Sequence, residues 1–314
     1  MKRFVHFFAA LSVLLLTGCD KIGLGEGSNE VEANFSVALS QGTATKVDGV
    51  SEAASVDVLD VFVYDANGDW LDTVTPAVTK VDQTHYTVKV KLIRNVKYSF
   101  VFFAQKSGTY PYSADKKTIT VDYSAGLCND DTRDAFYALE KDYTVTGAFS
   151  KDITLRRPFA QVNFGSLNSD YTAAEASKVA FDATLTTAIT VKKAASVLNL
   201  LDGTTGTPVD AVFTANKFQG GTLTVSTSIT DTPVRYMAMA YILASSSKET
   251  ATSVALDVVG KQSGIDFAIF HNVTNVPFQR NYRTNIVGDI FSVDGTFNVI
   301  IDPIYSTPDF ESNL

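Results

Sequence analysis

The side chains best suited to covalent or acid–base chemistry are few in this 314-residue chain. They are Cys19, Cys128, His6, His85 and His271. A nucleophilic thiol needs a base beside it, and neither His85 nor His271 lies near Cys128 in the sequence. The apolar and acidic neighbours of Cys128 favour a raised thiol pKa and low reactivity. No GxSxG, HExxH, GxGxxG or P-loop motif occurs. The sequence therefore predicts no catalytic residue, no cofactor and an unreactive Cys128.

Cys19 stands directly behind an apolar run at the start of the chain. Basic Lys2 and Arg3 are followed by residues 4–16, which are almost wholly apolar, and then by small residues. The run is shorter than the roughly 20 residues of a membrane-spanning helix, so residues 1–18 are predicted to be a cleaved signal peptide. Leu16-Thr17-Gly18-Cys19 matches a bacterial lipobox, in which the cysteine is acylated and becomes the first mature residue. We therefore expect lipidation at Cys19 and attachment to a membrane surface. The alternative is an ordinary secretory signal with an incidental Cys19.

Two groups of side chains with oxygen atoms have a spacing that could suit a metal site. The first is Asp65, Asn67 and Asp69, and the second is Asp130, Asp131 and Asp134. The first begins like a calcium loop, but the twelfth position, where such a loop needs a glutamate, is Pro76. The second opens residues 130–142, whose apolar spacing predicts a helix, and acidic residues suit the first turn of a helix. We therefore expect a turn, a helix start and no metal site.

Composition and charge narrow the class of protein further. The net charge is −8 and becomes −10 when Lys2 and Arg3 leave with the signal peptide, which argues against nucleic-acid binding. An acylated Cys19 leaves Cys128 without a disulfide partner, so the fold must depend on its core. The length suits two domains of ordinary size. Abundant Val, Thr, Phe and Tyr predict an all-β protein.

The mature N-terminus carries a strand with strict alternation of apolar and polar residues. Its sequence is VEANFSVAL, residues 31–39. The apolar residues on one face are Val31, Ala33, Phe35, Val37 and Leu39. The Gly-rich residues 19–30 before it predict a flexible tether. Residues 40–55 after it predict a long exposed loop, in which Lys46 is the only basic residue. We expect a half-buried strand between two flexible segments.

Further strands follow at regular spacing. Residues 56–74 predict a hairpin around Asn67-Gly68. Residues 85–92 and 97–105 predict two more strands, and the second is so apolar that we expect it to be central. After a strand near residue 151, a basic pair and Pro158 precede a new strand from Phe159, so we place a domain boundary near Asp152. This gives an N-terminal domain at residues 31–151 and a C-terminal domain at residues 152–314, each an antiparallel β-sandwich.

The chain resembles the fimbrillin superfamily of Bacteroidales, the subunits of lipoprotein-derived pili. Four stretches carry the resemblance, and together they span most of the mature chain. They are LTGC at residues 16–19, the strand-loop-hairpin order VEANFSVALSQGTATKVDG…LDVFVYDANGDW, LRRPFAQVNFG at residues 155–165, and VPFQRNYRTNIVGDIFSVDGTFNVIID at residues 276–302.

The resemblance implies two tandem transthyretin-like sandwiches and assembly by strand exchange with other pilus subunits. A protease would cut after a basic residue behind the first strand, and Lys46 stands where relatives usually have Arg. The strand of residues 31–39 would then leave a groove for a strand from a neighbouring subunit. The closing strand, with Phe297, Val299 and Ile301 on one face, is either resident or donated. The short chain after it leaves an uncleaved anchor or accessory subunit as an alternative.

A glycan-binding surface lipoprotein on the same fold is the rival interpretation, because a fold does not fix a function. Stacking platforms for sugars could come from Trp70, Tyr110, Tyr112 and Tyr123. A single aromatic residue that covers a sheet edge would look the same in sequence. The sequence leaves the adhesion target open.

Overall fold

The computed structural model describes residues 29–40, 53–218, 220–226, 231–292 and 294–302. The predicted signal peptide, most of the predicted tether, Cys19 and Lys46 lie outside these residues. The described chain is almost entirely β-structure, with one α-helix, so the all-β prediction is confirmed. No helix among the described residues is long and apolar enough to cross a membrane.

The first half of the chain forms two sheets that pack face to face. Its strands are β1 (Glu30–Leu39), β2 (Val58–Tyr64), β3 (Ala77–Lys80), β4 (His85–Ile93), β5 (Val96–Gln105), β6 (Thr118–Thr120), β7 (Phe136–Val145) and β8 (Phe149–Leu155). One sheet has the order β3-β4-β1-β8 and the other β2-β5-β7, while β6 joins the sheet of the second half. A first hydrophobic core lies between the two sheets.

The second half forms one large sheet that surrounds a second core. Its elements are β9 (Phe159–Ser166), α1 (Asn168–Ala176), β10 (Thr186–Asn199), β11 (Thr205–Val212), β12 (Asn216–Lys217), β13 (Thr222–Ser226), β14 (Asp231–Leu243), β15 (Glu249–Gln262), β16 (Ile265–Phe278), β17 (Arg283–Gly288) and β18 (Phe297–Asp302). The sheet runs β16-β15-β10-β14-β9-β17-β18, with the shorter strands paired to β10 and β14.

The sheet β2-β5-β7 lies between the two cores. Along β5, Phe100 and Phe102 belong to the first core, whereas Val101 and Phe103 belong to the second. A strand that is buried on both faces reads as a continuous apolar run, and β5 is indeed the central strand of its sheet, as predicted. The boundary predicted near Asp152 lies within β8, whose Leu155 still packs in the first core.

Each half of the chain begins with a strand in the same environment. β1 pairs antiparallel with β4 and parallel with β8, and β9 pairs antiparallel with β14 and parallel with β17. The sequence predicts antiparallel sheets, and antiparallel pairs do dominate. The two parallel pairs join strands that are distant in sequence, which alternation alone does not reveal.

The prediction of a helix over residues 130–142 is wrong. Asp131–Arg133 makes a single 3₁₀ turn, and the Asp130 carboxylate accepts from the Thr132 N–H at 2.9 Å. From Phe136 the chain is β7, in which Phe136 faces the first core. Tyr137 faces the second core. Apolar residues on both faces of one strand imitate helical spacing.

The sequence analysis does not predict the helix α1. It has no side-chain hydrogen bond at its N-cap, and it buries only Tyr171 and Ala174. A short helix with two buried residues gives little periodic signal.

The predicted hairpin at residues 56–74 is only partly formed. Gly68 takes a φ of +80°, and its N–H donates to the Asp65 carbonyl at 3.0 Å, so the turn is confirmed. The prediction of a return strand is wrong. β2 pairs with β5 instead, and the residues after the turn contribute only an isolated bridge between Tyr64 and Trp70.

Candidate strand-exchange site

β1 lies in the interior of the four-stranded sheet, between β4 and β8. It pairs with β4 from Glu30 to Ala38 and with β8 from Ala33 to Leu39. Its backbone is thus hydrogen-bonded on both sides. Removing it would open a slot between two strands, each with an unpaired edge, instead of shortening the sheet at its margin.

The predicted apolar face of β1 is fully buried in the first core. Its residues, Val31, Ala33, Phe35, Val37 and Leu39, are between 0 and 8% exposed. The Phe35 ring lies 5.1 Å from Phe100, 5.2 Å from Phe102 and 5.5 Å from Phe149, measured between centroids. Burial of a Val, Leu or Phe side chain contributes about 1.5 to 3 kcal/mol. An empty slot would therefore expose a costly apolar groove.

The chain that follows the predicted loop is held by contacts that do not involve β1. Ala53 is buried, its carbonyl accepts from Gln83 Nε2 at 2.8 Å, and its N–H donates to the Asp134 carboxylate. The Ser55 hydroxyl donates to the Asp131 carbonyl at 2.7 Å. These bonds hold the residues just before β2, here called the approach to β2, and none of them involves β1.

The candidate donor residues lie in a different part of the fold. Phe297, Val299 and Ile301 are on β18, an edge strand that pairs antiparallel with β17, and all three are half-buried. The Phe297 ring packs 4.9 Å from His271 and 6.3 Å from Phe164. In this structure β18 is thus a resident strand of the second half and is not beside β1.

Cys128 is buried, and its thiol donates to the Met239 carbonyl at 3.5 Å and lies 3.9 Å from Thr187 Oγ1. Burial raises the pKa of Cys128 to about 11, which is the direction that the sequence predicts. His271 is buried on β16 and hydrogen-bonds to a backbone carbonyl, whereas His85 lies exposed at the start of β4. The partners of the thiol are a carbonyl and a hydroxyl, not an imidazole.

The two groups that were considered as metal sites have structural roles. Asp65 Oδ1 accepts from the N–H groups of Asn67 and Asp69, each at 2.8 Å, which shapes the turn. The Asp134 carboxylate is buried and accepts two bonds from Arg157, both at 2.8 Å. Burial raises the pKa of Asp134, although the arginine opposes this. Within the described ranges, no group of three His, Cys, Asp or Glu residues is placed to hold a metal ion.

The aromatic residues considered for sugar stacking are occupied by the chain itself. Tyr110 and Tyr123 are buried, and their hydroxyls donate to backbone carbonyls at 2.6 Å. Trp70 and Tyr112 are half-buried, and the Lys116 ammonium lies 5.6 Å from each of their ring centroids. Sequence spacing does not reveal this cation–π contact.

Comparison with solved structures finds proteins of Bacteroidales. One, from Bacteroides uniformis ATCC 8492, is provisionally described as a cell adhesion protein; it is 14% identical, with a TM-score of 0.47, over 89% of this chain and 99% of that chain. Two come from Porphyromonas gingivalis. The tip fimbrial protein Mfa3 is 10% identical, with a TM-score of 0.42, over 87% of this chain and 99% of that chain. The fimbrial anchor protein Mfa2 is 13% identical, with a TM-score of 0.41, over 86% of this chain and 97% of that chain.

These neighbours agree with the resemblance to the fimbrillin superfamily, but such low identities and TM-scores do not assign a function. No curated protein matches the chain. One family does match, over residues 25–313, and it is described as a family of unknown function, DUF6562. Because the match covers most of the sequence, the chain belongs to the family DUF6562.

Proposed function

We propose that the chain is a structural subunit of a cell-surface fimbria, assembled by strand exchange from a lipoprotein precursor and serving adhesion. The observation that carries the proposal is the position of β1. It is the first strand of the described residues, it is interior to its sheet, and its apolar face fills the first core. A cut after Lys46 would free it together with its tether. A strand from a neighbouring subunit would then bond to β4 and β8 and place alternate side chains in the vacated positions.

The fixed approach to β2 supports this proposal. A cut in residues 41–52 leaves Ala53 bound to Gln83 and Asp134. The residues before β2 therefore stay bonded to the first sandwich when β1 departs, whereas β4 and β8 each lose their pairing with β1. The predicted units at residues 31–151 and 152–314 are part of the same proposal, and the first of them is the one that exchanges its strand.

β18 is the candidate donor, because an edge strand is released when it separates from one neighbour. Its present packing favours a second candidate function. Phe297 lies against His271 and Phe164, so β18 already has a place in its own subunit. A permanently resident β18 would suit an uncleaved anchor or accessory subunit of the same fimbria.

The lipid anchor belongs to the proposal as well. Acylation at Cys19 would hold the precursor at the outer membrane, since each buried methylene contributes about 0.8 kcal/mol. The Cys19→Ala variant should lose incorporation of a fatty-acid analogue and leave the membrane fraction. Continued labelling of that variant would contradict lipidation at Cys19.

The test of assembly compares wild type with Lys46→Ala and Lys248→Ala. Lys248 lies in an exposed turn between β14 and β15, so it is a matched lysine outside the β1–β2 connection. Surface material is analysed by mass spectrometry for the mature N-terminus and by electron microscopy for filaments. We expect cleavage and filament incorporation to fall in Lys46→Ala and to persist in Lys248→Ala.

Two results would replace the proposal. If wild-type surface protein still begins at Cys19, the anchor interpretation takes its place. If the protein stays monomeric and binds a glycan through Trp70, shown by loss of binding in Trp70→Ala with unchanged folding, the glycan-binding interpretation is correct.

A further inference from the structure

One end of the first sandwich is formed by the turn between β4 and β5. The turn residues are Arg94 and Asn95, and they are flanked by Ile93 and Val96. The start of β1 lies at the same end, because β1 and β4 pair antiparallel along their length. The Arg94 N–H donates to the Asn29 carbonyl at 2.7 Å. The first described residue of the chain is therefore bonded directly to this turn.

The turn combines exposed apolar side chains with exposed basic ones. Ile93 and Val96 are 44% and 36% exposed. Lys91, Arg94 and Lys97 are exposed as well, and none of the three makes an ion pair with another described residue. We call these five residues the basic end. Apolar side chains beside unpaired basic ones are the combination that binds the boundary of an anionic lipid layer.

The charge of the basic end is opposite to that of the whole chain. Residues 86–105 hold four basic residues and no acidic one, whereas the chain has 26 basic and 34 acidic residues. The acidic residues of the neighbouring β1 are Glu30 and Glu32, and Glu32 lies 3.9 Å from Lys89. Four basic residues against two acidic ones leave these three strands positive where they meet.

The backbone of the turn is already hydrogen-bonded within the chain. The Ile93 N–H donates to the Tyr98 hydroxyl at 3.1 Å. The Asn95 N–H donates to the Val145 carbonyl at 2.6 Å. With the bond of Arg94 described above, three successive N–H groups are satisfied. Because an unpaired N–H is costly to remove from water, a turn with bonded N–H groups can enter a lipid boundary at a lower cost.

The covalent distance from Cys19 limits how far the basic end can lie from an anchoring lipid. Asn29 is ten residues after Cys19. An extended chain covers at most about 3.6 Å per residue, so Asn29 stays within about 36 Å of an acylated Cys19. The opposite end of β1, at Leu39, is roughly 30 Å further along the strand. An anchor at Cys19 therefore keeps the basic end near the membrane and raises its effective concentration there.

We propose that the basic end of the lipid-anchored precursor binds a membrane surface with anionic headgroups. Ile93 and Val96 would lie at the boundary between headgroups and acyl chains, with Lys91, Arg94 and Lys97 among the headgroups. Each basic residue near an anionic surface strengthens binding by about fivefold. The proposal rests on the acylation of Cys19, which is part of the proposed function.

This contact would orient the precursor for the proposed cleavage. With the basic end on the lipid, β1 leads away from the membrane, and Ser40 lies at its far end. The strand has ten residues, so Ser40 would be held roughly 30 Å from the membrane. Ser40 is the last described residue before Lys46. A protease would thus approach the β1–β2 connection from the side that faces away from the lipid.

The test attaches the chain to vesicles chemically, so it does not depend on acylation in the cell. A recombinant chain that begins at Cys19 and carries Cys128→Ser is coupled through its one thiol to a maleimide lipid. Trp70→Phe removes the only tryptophan, and either Ile93→Trp or Val81→Trp supplies a new one. Val81 is the matched control, because it is 62% exposed and lies in the β3–β4 turn, at the opposite end of β4.

Quenching of tryptophan fluorescence by brominated phospholipids reports contact with the lipid. The vesicles are phosphatidylcholine, with or without about 30% phosphatidylglycerol. On the anionic vesicles we expect Ile93→Trp to be quenched at least about threefold more than Val81→Trp. Addition of Arg94→Glu and Lys97→Glu should reduce the quenching of Ile93→Trp to the level of the control, because two positive charges become negative. Lys248→Glu, the same change at an exposed lysine between β14 and β15, should leave it unchanged.

Thermal unfolding checks that each variant folds. Equal quenching of the two tryptophans, or quenching of neither, would overturn the proposal. Quenching that persists in Arg94→Glu/Lys97→Glu, or that is equal on neutral vesicles, would overturn the role of anionic headgroups. A blue shift of Ile93→Trp without vesicles, growing with protein concentration, would assign the basic end to a second copy of the chain.

Failure of this contact and failure of the anchor are distinguishable. Incorporation of a fatty-acid analogue at Cys19 in the cell, without quenching on the vesicles, would keep the anchor and overturn the contact. Quenching of Ile93→Trp on the vesicles, without incorporation in the cell, would keep the lipid-binding surface and remove the anchor from the proposed function.

Discussion

At the residue scale, a buried ion pair holds the junction between the two cores. Asp134 and Arg157 are 0% and 1% exposed in their side chains and make a bidentate contact. The Arg157 guanidinium also lies 4.4 Å from the Phe136 ring centroid. The Asp134 carboxylate receives the Ala53 N–H as well, so one side chain connects the approach to β2 with the start of the second half.

Removal of the Asp134 side chain should therefore lower the free energy of unfolding strongly. Asp134→Ala leaves a buried arginine without its counter-charge, and breaking such a pair costs about 3 to 5 kcal/mol. The control is Asp210→Ala, which breaks the exposed pair with Lys192 and should cost no more than about 1 kcal/mol. Urea unfolding measures both free energies. Equal losses in the two variants would show that the buried pair has no special role.

The raised pKa of Cys128 gives a prediction at alkaline pH. The thiol has a pKa of about 11 in the folded chain and 9.0 when unperturbed. Between these values the folded state holds a proton that the unfolded state releases, so stability falls as pH rises from about 9 to about 11. The difference is roughly 2 to 3 kcal/mol at most.

Cys128→Ser should keep the fold, since a hydroxyl can donate to the Met239 carbonyl, and it should remove this part of the pH dependence. Urea unfolding of both proteins at pH 8 and pH 10.5 provides the measurement, and the native thiol should react slowly with alkylating reagents at pH 8. Identical alkaline slopes in the two proteins would rule out Cys128 as their source.

At the element scale, the buried face of β1 should supply most of the strand's contribution to the free energy of unfolding. Phe35→Ala should destabilise the chain by about 3 to 5 kcal/mol, because the ring fills the space between Phe100, Phe102 and Phe149. Ser36→Ala, on the exposed face of the same strand, should change stability by less than about 0.5 kcal/mol. Thermal or urea unfolding compares them. A small effect of Phe35→Ala would mean that β1 contributes little to the first core.

The local sequence pattern was sufficient to predict a strand where apolar and polar residues alternate strictly or where the apolar run is continuous. β1 alternates strictly and was predicted correctly, and the apolar run of β5 correctly indicated burial on both faces. β7 was mistaken for a helix because its two faces belong to two different cores. The pairing of β2 with β5, and not with the residues after Gly68, depends on contacts distant in sequence.

At the scale of the whole molecule, the first strands of the two halves have the same kind of neighbours, but they differ in how they are connected to the rest of the chain. β1 and β9 both lie between an antiparallel and a parallel neighbour. β9 continues directly from β8 through the short connection at residues 156–158, so a single cut cannot release it. β1 is preceded by the predicted tether and followed by residues 41–52. In the proposed assembly, one cut after Lys46 would separate it from the rest of the fold.

This difference predicts that β1 can be replaced in trans. A chain that begins at residue 47 should bind a synthetic peptide of residues 29–40 in a 1:1 complex, because the slot between β4 and β8 offers two unpaired strand edges and the apolar positions of five side chains. Without the peptide, the chain should expose apolar surface, bind a hydrophobic dye and melt at a lower temperature. Titration calorimetry and thermal melting measure both effects. The matched control is the same peptide with Phe35→Asp and Val37→Asp, which keeps the backbone donors but places charges in the core and should not bind. If the shortened chain is as stable as the full one, or accepts both peptides equally, β1 is not the exchangeable strand.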